Sequence, residues 1–207
     1  MAESLTNYLL QTRRLIHDVS ANYWTDLELT DYINLARNRV AMDTGITRSL
    51  QQFSLVVGTT SYNFSLLPQG DNTMEVLGAT LTWGNMLIPL RRLSFTESFG
   101  LRSFTGMLQR PVALVNYGQG GFMVFPAPDQ AYVINLDTIL SPTPLTTAAP
   151  ADTQINYPYD ELVTYMAARQ AKIEMQDYPA AESFQQLYDA RMTGILGSFQ
   201  QINPYGY

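Results

Sequence analysis

The sequence predicts an α+β fold: an α-helical bundle built from the two ends of the chain, with an antiparallel β-sandwich or barrel-like region inserted between them. Three observations carry this expectation. Apolar residues recur at helical spacing at both ends of the chain. Between those ends the period falls to two, and glycine-containing turns follow at short intervals. Neither helical end is long enough to cover its own apolar stripe, so the two should pack together. The expected division is 1–50 with 155–207 as a helical bundle ending in a docking tail, and 51–154 as the inserted β domain.

The first helix carries Leu5, Leu9, Leu10, Leu15 and Ile16, with Ser4 or Thr6 available as its cap, and breaks at Ser20-Ala21-Asn22. Thr25-Asp26-Leu27-Glu28 is a capping box, in which the Thr side chain satisfies a backbone N–H and Glu28 reaches back. Leu29, Ile33, Ala36 and Val40 then form one stripe, and Gly45 is suited to end the helix in the left-handed conformation.

From Phe53 the pattern alternates. Phe53, Leu55 and Val57 precede a turn at Gly58-Thr59, and Tyr62-Asn63-Phe64 continues to Pro68-Gln69-Gly70. Val76 to Trp83 and Met86 to Leu93 flank Gly84-Asn85, a two-residue hairpin connection. Residues 94–109 suggest a short helix bearing Phe95, Phe99 and Phe104. Val112 to Tyr117 and Phe122 to Phe125 flank Gly118-Gln119-Gly120-Gly121, and Tyr132, Ile134 and Leu136 lead a further strand to Leu140. Residues 141–156 hold three prolines and four threonines and read as an extended linker. Helix returns after Pro158, with Asp160 and Glu161 at the positive end of the dipole. Leu162, Val163, Met166, Ala167 and Ile173 line one face. Pro179 opens a last helix with Phe184, Leu187, Tyr188, Met192 and Ile195 as its stripe and Gly197 as its end.

Composition narrows the function. Charged residues make up only 14% of the 207, against thirteen tyrosines, so much of the surface is neutral or apolar and suited to contact. Eleven of the twelve basic residues are Arg, the interface cation, and Lys172 is the single lysine; lineage bias accounts for this equally well. A net charge of −6 argues against gripping a phosphate backbone, although an acidic wall lets DNA slide past. The absence of cysteine removes disulfides and thiolate chemistry. The first 20 residues do not read as a signal peptide and no stretch approaches a membrane span, so a soluble chain made in the cytoplasm and free of the membrane is expected.

No chemistry-bearing constellation emerges, so the expectation is a non-enzyme without catalytic, cofactor or metal residues. His17, the only histidine, falls at a helix end, and the common zinc sites need more ligands than it offers. Asp26, Glu28, Asp31, Asp160 and Glu161 begin helices, while Asp129 and Asp137 flank a strand, so no acid pair stands out for glycoside hydrolysis. Gly118–Gly121 precedes a strand rather than the helix a phosphate loop requires. Asn63-Phe64-Ser65 matches a glycosylation acceptor by chance. The closing segment is different. Its apolar and aromatic residues Phe199, Ile202, Pro204, Tyr205 and Tyr207 need a cover, as a docking peptide or by folding back.

Three segments carry a family resemblance: Leu29-Thr30-Asp31-Tyr32-Ile33-Asn34-Leu35-Ala36 leading to Thr44-Gly45; Arg110-Pro111 through Tyr117-Gly118 to Phe125-Pro126-Ala127-Pro128-Asp129 and Ala131-Tyr132; and the closing helices Tyr159 to Met175 and Ala180 to Met192. In this order they resemble the head-to-tail adaptor proteins of tailed phages, including tail accessory and tail-tubular proteins of short-tailed phages. The resemblance implies a structural virion protein at the head–tail interface, a homo-oligomeric ring of twelve copies below the portal protein. It also implies that the tail docks into portal clefts and that the β domain faces the tail nozzle or tail-tube protein. DNA would pass through the lumen without specific binding. Rival readings are a stopper or tail-completion protein, a carbohydrate-binding β-sandwich stacking sugars on Trp24, Trp83 or exposed tyrosines, and a virion hydrolase.

Overall fold

A computed structural model describes residues 3–98, 100, 106–117 and 120–201, with the backbone alone for 198–201. The chain forms two units, one from the described residues up to Ile46 together with those from Pro142 onward, the other Thr47–Ser141. It is α+β, as expected, and its sheets do not close into a barrel.

The helical unit holds α1 (Leu5–Ile16), α2 (Asp26–Thr44), α3 (Asp160–Glu174) and α4 (Tyr178–Gln201). Ser4 caps α1 by accepting the Asn7 N–H at 3.3 Å. The helix ends at His17, whose φ of 64° reverses the chain. The loop to α2 is organised by the Asp18 carboxylate, which accepts the N–H groups of Asn22 at 2.8 Å, Tyr23 at 3.3 Å and Trp24 at 3.0 Å. Thr25 and Glu28 form the capping box of α2, the stripe Leu29, Ile33, Ala36 and Val40 is buried, and Gly45 closes the helix at φ 66°.

Helix α3 is the hub and packs against the other three helices. Its contact face contains Ala167, Ala168 and Ala171, all fully buried; side chains that stop at Cβ let neighbouring helices approach closely. Helix α4 departs from expectation twice. Phe184, Tyr188, Met192 and Ile195 face the core or its margin, but Leu187 is exposed. Gly197 does not end the helix: it keeps a helical backbone, and α4 runs on to Gln201. A glycine inside a helix costs about 1 kcal/mol relative to alanine and stops it only when it turns left-handed.

Residues 142–156 are irregular, yet they are more than the linker expected. Strand β1 (Glu3–Ser4) pairs with β10 (Ala151–Asp152), and Leu145 and Ile155 enter the helical core.

In the other unit, β2 (Arg48–Ser54), β9 (Val133–Leu140), β4 (Thr73–Trp83) and β5 (Met86–Pro89) form one antiparallel sheet in the order β2-β9-β4-β5. The second sheet runs β3 (Ser61–Asn63), β8 (Gly121–Phe125), β7 (Ala113–Tyr117) and β6 (Arg91–Leu93). Their facing sides share one core that includes Leu55, Tyr62, Val76, Leu81, Leu114, Phe122, Ile134 and Leu136. Tyr62 also fixes the turn expected at Gly58-Thr59: its hydroxyl accepts the Val56 N–H at 3.0 Å and donates to the Thr59 carbonyl at 2.8 Å. Val57 falls beyond the strand and is exposed. Gly121 admits β3 beside β8, because a Cβ there would collide with the Tyr62 carbonyl.

Two strand expectations are corrected. The first strand begins at Arg48 rather than Phe53, since the left-handed Gly45 releases the chain from helix five residues before residue 50. Met86 to Leu93 is two strands, for after Pro89 the buried Leu90 carries the chain into the second sheet, where β6 runs parallel to β7. Phe99, Phe104, Gly118 and Gln119 lie outside the described residues. Phe95 packs against Tyr117 with ring centroids 5.4 Å apart, and the Tyr117–Gly121 pair closes the expected hairpin.

Candidate docking surfaces

Helix α4 carries the segment expected to dock. It is anchored at Tyr188, whose hydroxyl donates to Asp43 Oδ2 on α2 at 2.8 Å; burial, then that hydrogen bond and the Asp43 charge, push the phenol's pKa up and keep it a donor. Arg191 adds an ion pair to Glu161 on α3 at 2.9 Å; its Nε–H finds no well-aimed acceptor, so the contact is electrostatic. Ile195 is buried in the helical core. The Phe199 backbone continues α4, while the Phe199 side chain and all of Ile202, Pro204, Tyr205 and Tyr207 lie outside the described residues.

The helical unit is locked internally by an ion pair that periodicity did not reveal. Arg37 is 1% exposed and Asp152 fully buried; the guanidinium donates to the carboxylate through Nε at 2.8 Å and through Nη2 at 2.9 Å. Nη1 donates to the Thr143 carbonyl at 2.7 Å, and the Tyr8 hydroxyl donates to Asp152 Oδ2 at 3.2 Å. Asp152 also accepts the N–H groups of Gln154 at 3.0 Å and Ile155 at 3.1 Å. Burial, then the Asp152 charge, push the Tyr8 pKa up, so the phenol stays a donor. The available signal was Arg37 itself, four residues after Ile33 and three before Val40, within the apolar stripe.

Beside this node, α1, α2 and residues 144–150 border an open groove of about 660 Å³. Leu9, Leu27 and Leu145 give it an apolar lining, and Asp26 and Asp31 give it an acidic margin. The charge is unevenly divided. Residues 1–46 and 142–207 hold seven basic and thirteen acidic residues, a balance of −6, whereas residues 47–141 hold five of each and are neutral.

Several of the chemical candidates hold structural roles. His17 caps α1. Asp26 receives Arg13 at 2.7 Å, Glu161 pairs with Arg191, Asp129 accepts the Tyr132 hydroxyl at 2.8 Å, and Asp137 is held by Arg48. Asn63 caps a short 3₁₀ turn through the Ser65 N–H at 3.0 Å. Trp24 packs edge-on against Tyr32, and one face of Trp83 is covered by the Arg110 guanidinium 4.6 Å from the ring centroid, which leaves less ring for a sugar. Among the described residues no group of three or more His, Asp or Glu side chains is placed to hold a metal ion, and no helix is long and apolar enough to cross a membrane.

A helical bundle interrupted by a β-sandwich, with extensive uncharged exposed surface, is therefore the class of protein at hand. The family model described as SU10 adaptor protein matches residues 6–204, and the chain belongs to this family of phage adaptor proteins. The resemblance to head-to-tail adaptors stands with it. Comparison with curated proteins finds none that matches the chain.

Proposed function

We propose that this chain is a non-enzymatic head-to-tail adaptor subunit of a tailed-phage virion, assembled in the host cytoplasm as a ring of twelve copies between the portal protein and the tail. The observation that carries the reading is the family match across residues 6–204 of a chain built from a helical unit with an inserted sandwich. In this reading α4 delivers Phe199, Ile202, Pro204, Tyr205 and Tyr207 to clefts of the portal protein. Helix α4 suits the task because Tyr188, Arg191 and Ile195 fix it to its neighbours close to the point of delivery. The neutral β unit meets the tail nozzle or tail-tube protein.

DNA passes through the lumen without specific binding. The surplus of acid on the helical segments supports passage, since a phosphate backbone finds no cluster of basic groups to neutralise it. The test is a chain lacking residues 199–207, compared with the full chain for attachment to portal-containing capsids. The shortened chain should fold with unchanged far-ultraviolet circular dichroism and fail to co-sediment with capsids. Normal co-sedimentation would remove the docking tail from the proposal.

A further inference from the structure

The sheet β2-β9-β4-β5 ends in two edges that are complementary to each other. Each strand in it is antiparallel to the next, so β2 and β5 run in opposite directions. A second copy brought up without inversion therefore meets β5 with an antiparallel β2.

The ladder bonds define what each edge offers. Leu55 N donates to the Tyr132 carbonyl at 2.7 Å and Leu140 N to the Thr47 carbonyl, so alternate residues from Thr47 to Leu55 bond to β9. The N–H and C=O groups of Arg48, Leu50, Gln52 and Ser54 point away from the sheet. At the other edge Leu90 N donates to the Ala79 carbonyl at 2.9 Å and Trp83 pairs with Met86, which leaves Leu87 and Pro89 pointing outward. An exposed seven-residue strand is normally guarded by charge. Here the only charged side chain along β2, Arg48, is held by Asp137 at 2.6 Å.

Side chains settle the register. Ser49, Gln51 and Phe53 face inward, as Ile88 and Leu90 do, so Leu50 and Leu87 both lie on the outer face of the sheet. They are also the two most exposed large hydrophobic residues in the described part of this unit, at 76% and 64%. We infer that neighbouring copies of this chain join by adding β2 of one copy to β5 of the next, antiparallel, with Leu50 directly opposite Leu87. Leu50 and Leu87 then exchange two backbone hydrogen bonds and cover each other's side chains. Gln52 lies opposite Asn85, and Arg48 N–H donates to the carbonyl of Pro89, a residue with no N–H to leave unpaired. The contact joins two different patches, which is the requirement for a ring of many copies rather than a two-fold pair. The inference rests on the ring reading above and names the contact that closes it.

The chain has no cysteine, which makes thiol pairing a clean probe. Within one copy positions 50 and 87 are three strand spacings apart, roughly 14 Å, beyond the about 7 Å that a disulfide spans. The L50C and L87C chains are bound to portal-containing capsids, separately and as an equal mixture, and oxidised with copper phenanthroline. The mixture should give covalent dimers, each single variant alone should give none, and the double variant should give a ladder of multimers. Dimers from L50C alone would show two-fold pairing of β2 and overturn the inference. Capsid attachment without cross-links in the mixture removes the strand contact only, whereas failure of the unsubstituted full-length chain to attach to portal-containing capsids removes the ring reading and this contact with it.

Discussion

Arg37 and Asp152 stand 115 residues apart in sequence and form a two-pronged ion pair in the interior of the helical unit. Both are almost wholly shielded from water, and their side chains also hydrogen-bond to Tyr8 of α1, Asn34 of α2, and Thr143, Gln154 and Ile155 of the returning segment. The inserted strands separate these partners in the chain, so the helical unit cannot complete its core until residues beyond 141 have returned. The pair thus fixes where the returning segment lies against α1 and α2.

Breaking this pair on one side should be costly. Arg37→Ala or Asp152→Ala leaves an uncompensated buried charge, a loss of about 3–5 kcal/mol. In a chain of this size that lowers the melting temperature by roughly 6–20 °C. The double replacement R37M/D152L should melt above either single alanine variant, because it removes both charges and keeps apolar volume. Melting curves followed by circular dichroism decide the matter; a single-variant loss of only a degree or two would mean the pair is solvated.

Overpacking the hub should be the next most damaging change. Ala168 is fully buried where α1, α2 and α3 meet, among Ile16 and Leu29. Ala168→Leu must displace these neighbours, at about 1–3 kcal/mol. Ala168→Ser keeps the volume nearly constant and should cost less. Chemical denaturation of the three chains should rank them alanine, serine, leucine, and a leucine variant as stable as the parent would disprove close packing at this point.

The helices were legible in the sequence because their signals are local: the capping box at Thr25–Glu28, the stripe from Leu29 to Val40 and the stop at Gly45 each lie within one stretch of chain. The strands were legible as a set, but β2 was placed late because Arg48, Ser49 and Leu50 do not differ in composition from a helix end. Long-range features were not legible. Arg37 needs a partner 115 residues away, and nothing near Asp152 marks it as that partner. The break at Leu90 depends on which sheet has room for β6, a property of the assembled sandwich. Leu187 occupied a helical position compatible with the core, yet α4 turns it outward because Tyr188 and Phe184 fill the available face. Of the docking candidates, only the Phe199 backbone falls within the described residues, where it continues α4.

Gly45 offers a test of local backbone chemistry apart from packing. Its φ is 66°, and a Cβ there would meet no atom within 4 Å, so substitution acts through backbone conformation alone. Gly45→Ala should cost about 1–2 kcal/mol, the usual penalty of an L residue in the left-handed region. Gly45→Asn should recover part of that, as asparagine tolerates the region better. Equal melting temperatures for all three chains would mean that α2 ends in another way.

Acid should unfold the α1–α2 corner through Asp18. Burial opposes ionisation of its carboxyl, but N–H groups of Trp24, Asn22 and Tyr23, with the Arg13 guanidinium, outweigh that and hold its pKa below the ordinary range. A carboxyl depressed on folding stabilises the protein fully above its unfolded value, about 3.9. That stabilisation fades as the pH falls below 3.9 and through the lowered folded value, where the folded chain must take up the proton too. Asp18→Asn lacks the charge and should lose about 1–3 kcal/mol at neutral pH. Its stability should also fall less steeply than the parent's between pH 5 and pH 2, by one fewer bound proton. Urea denaturation of both chains across that range measures the difference directly, and parallel curves would show that Asp18 takes no part in the acid response.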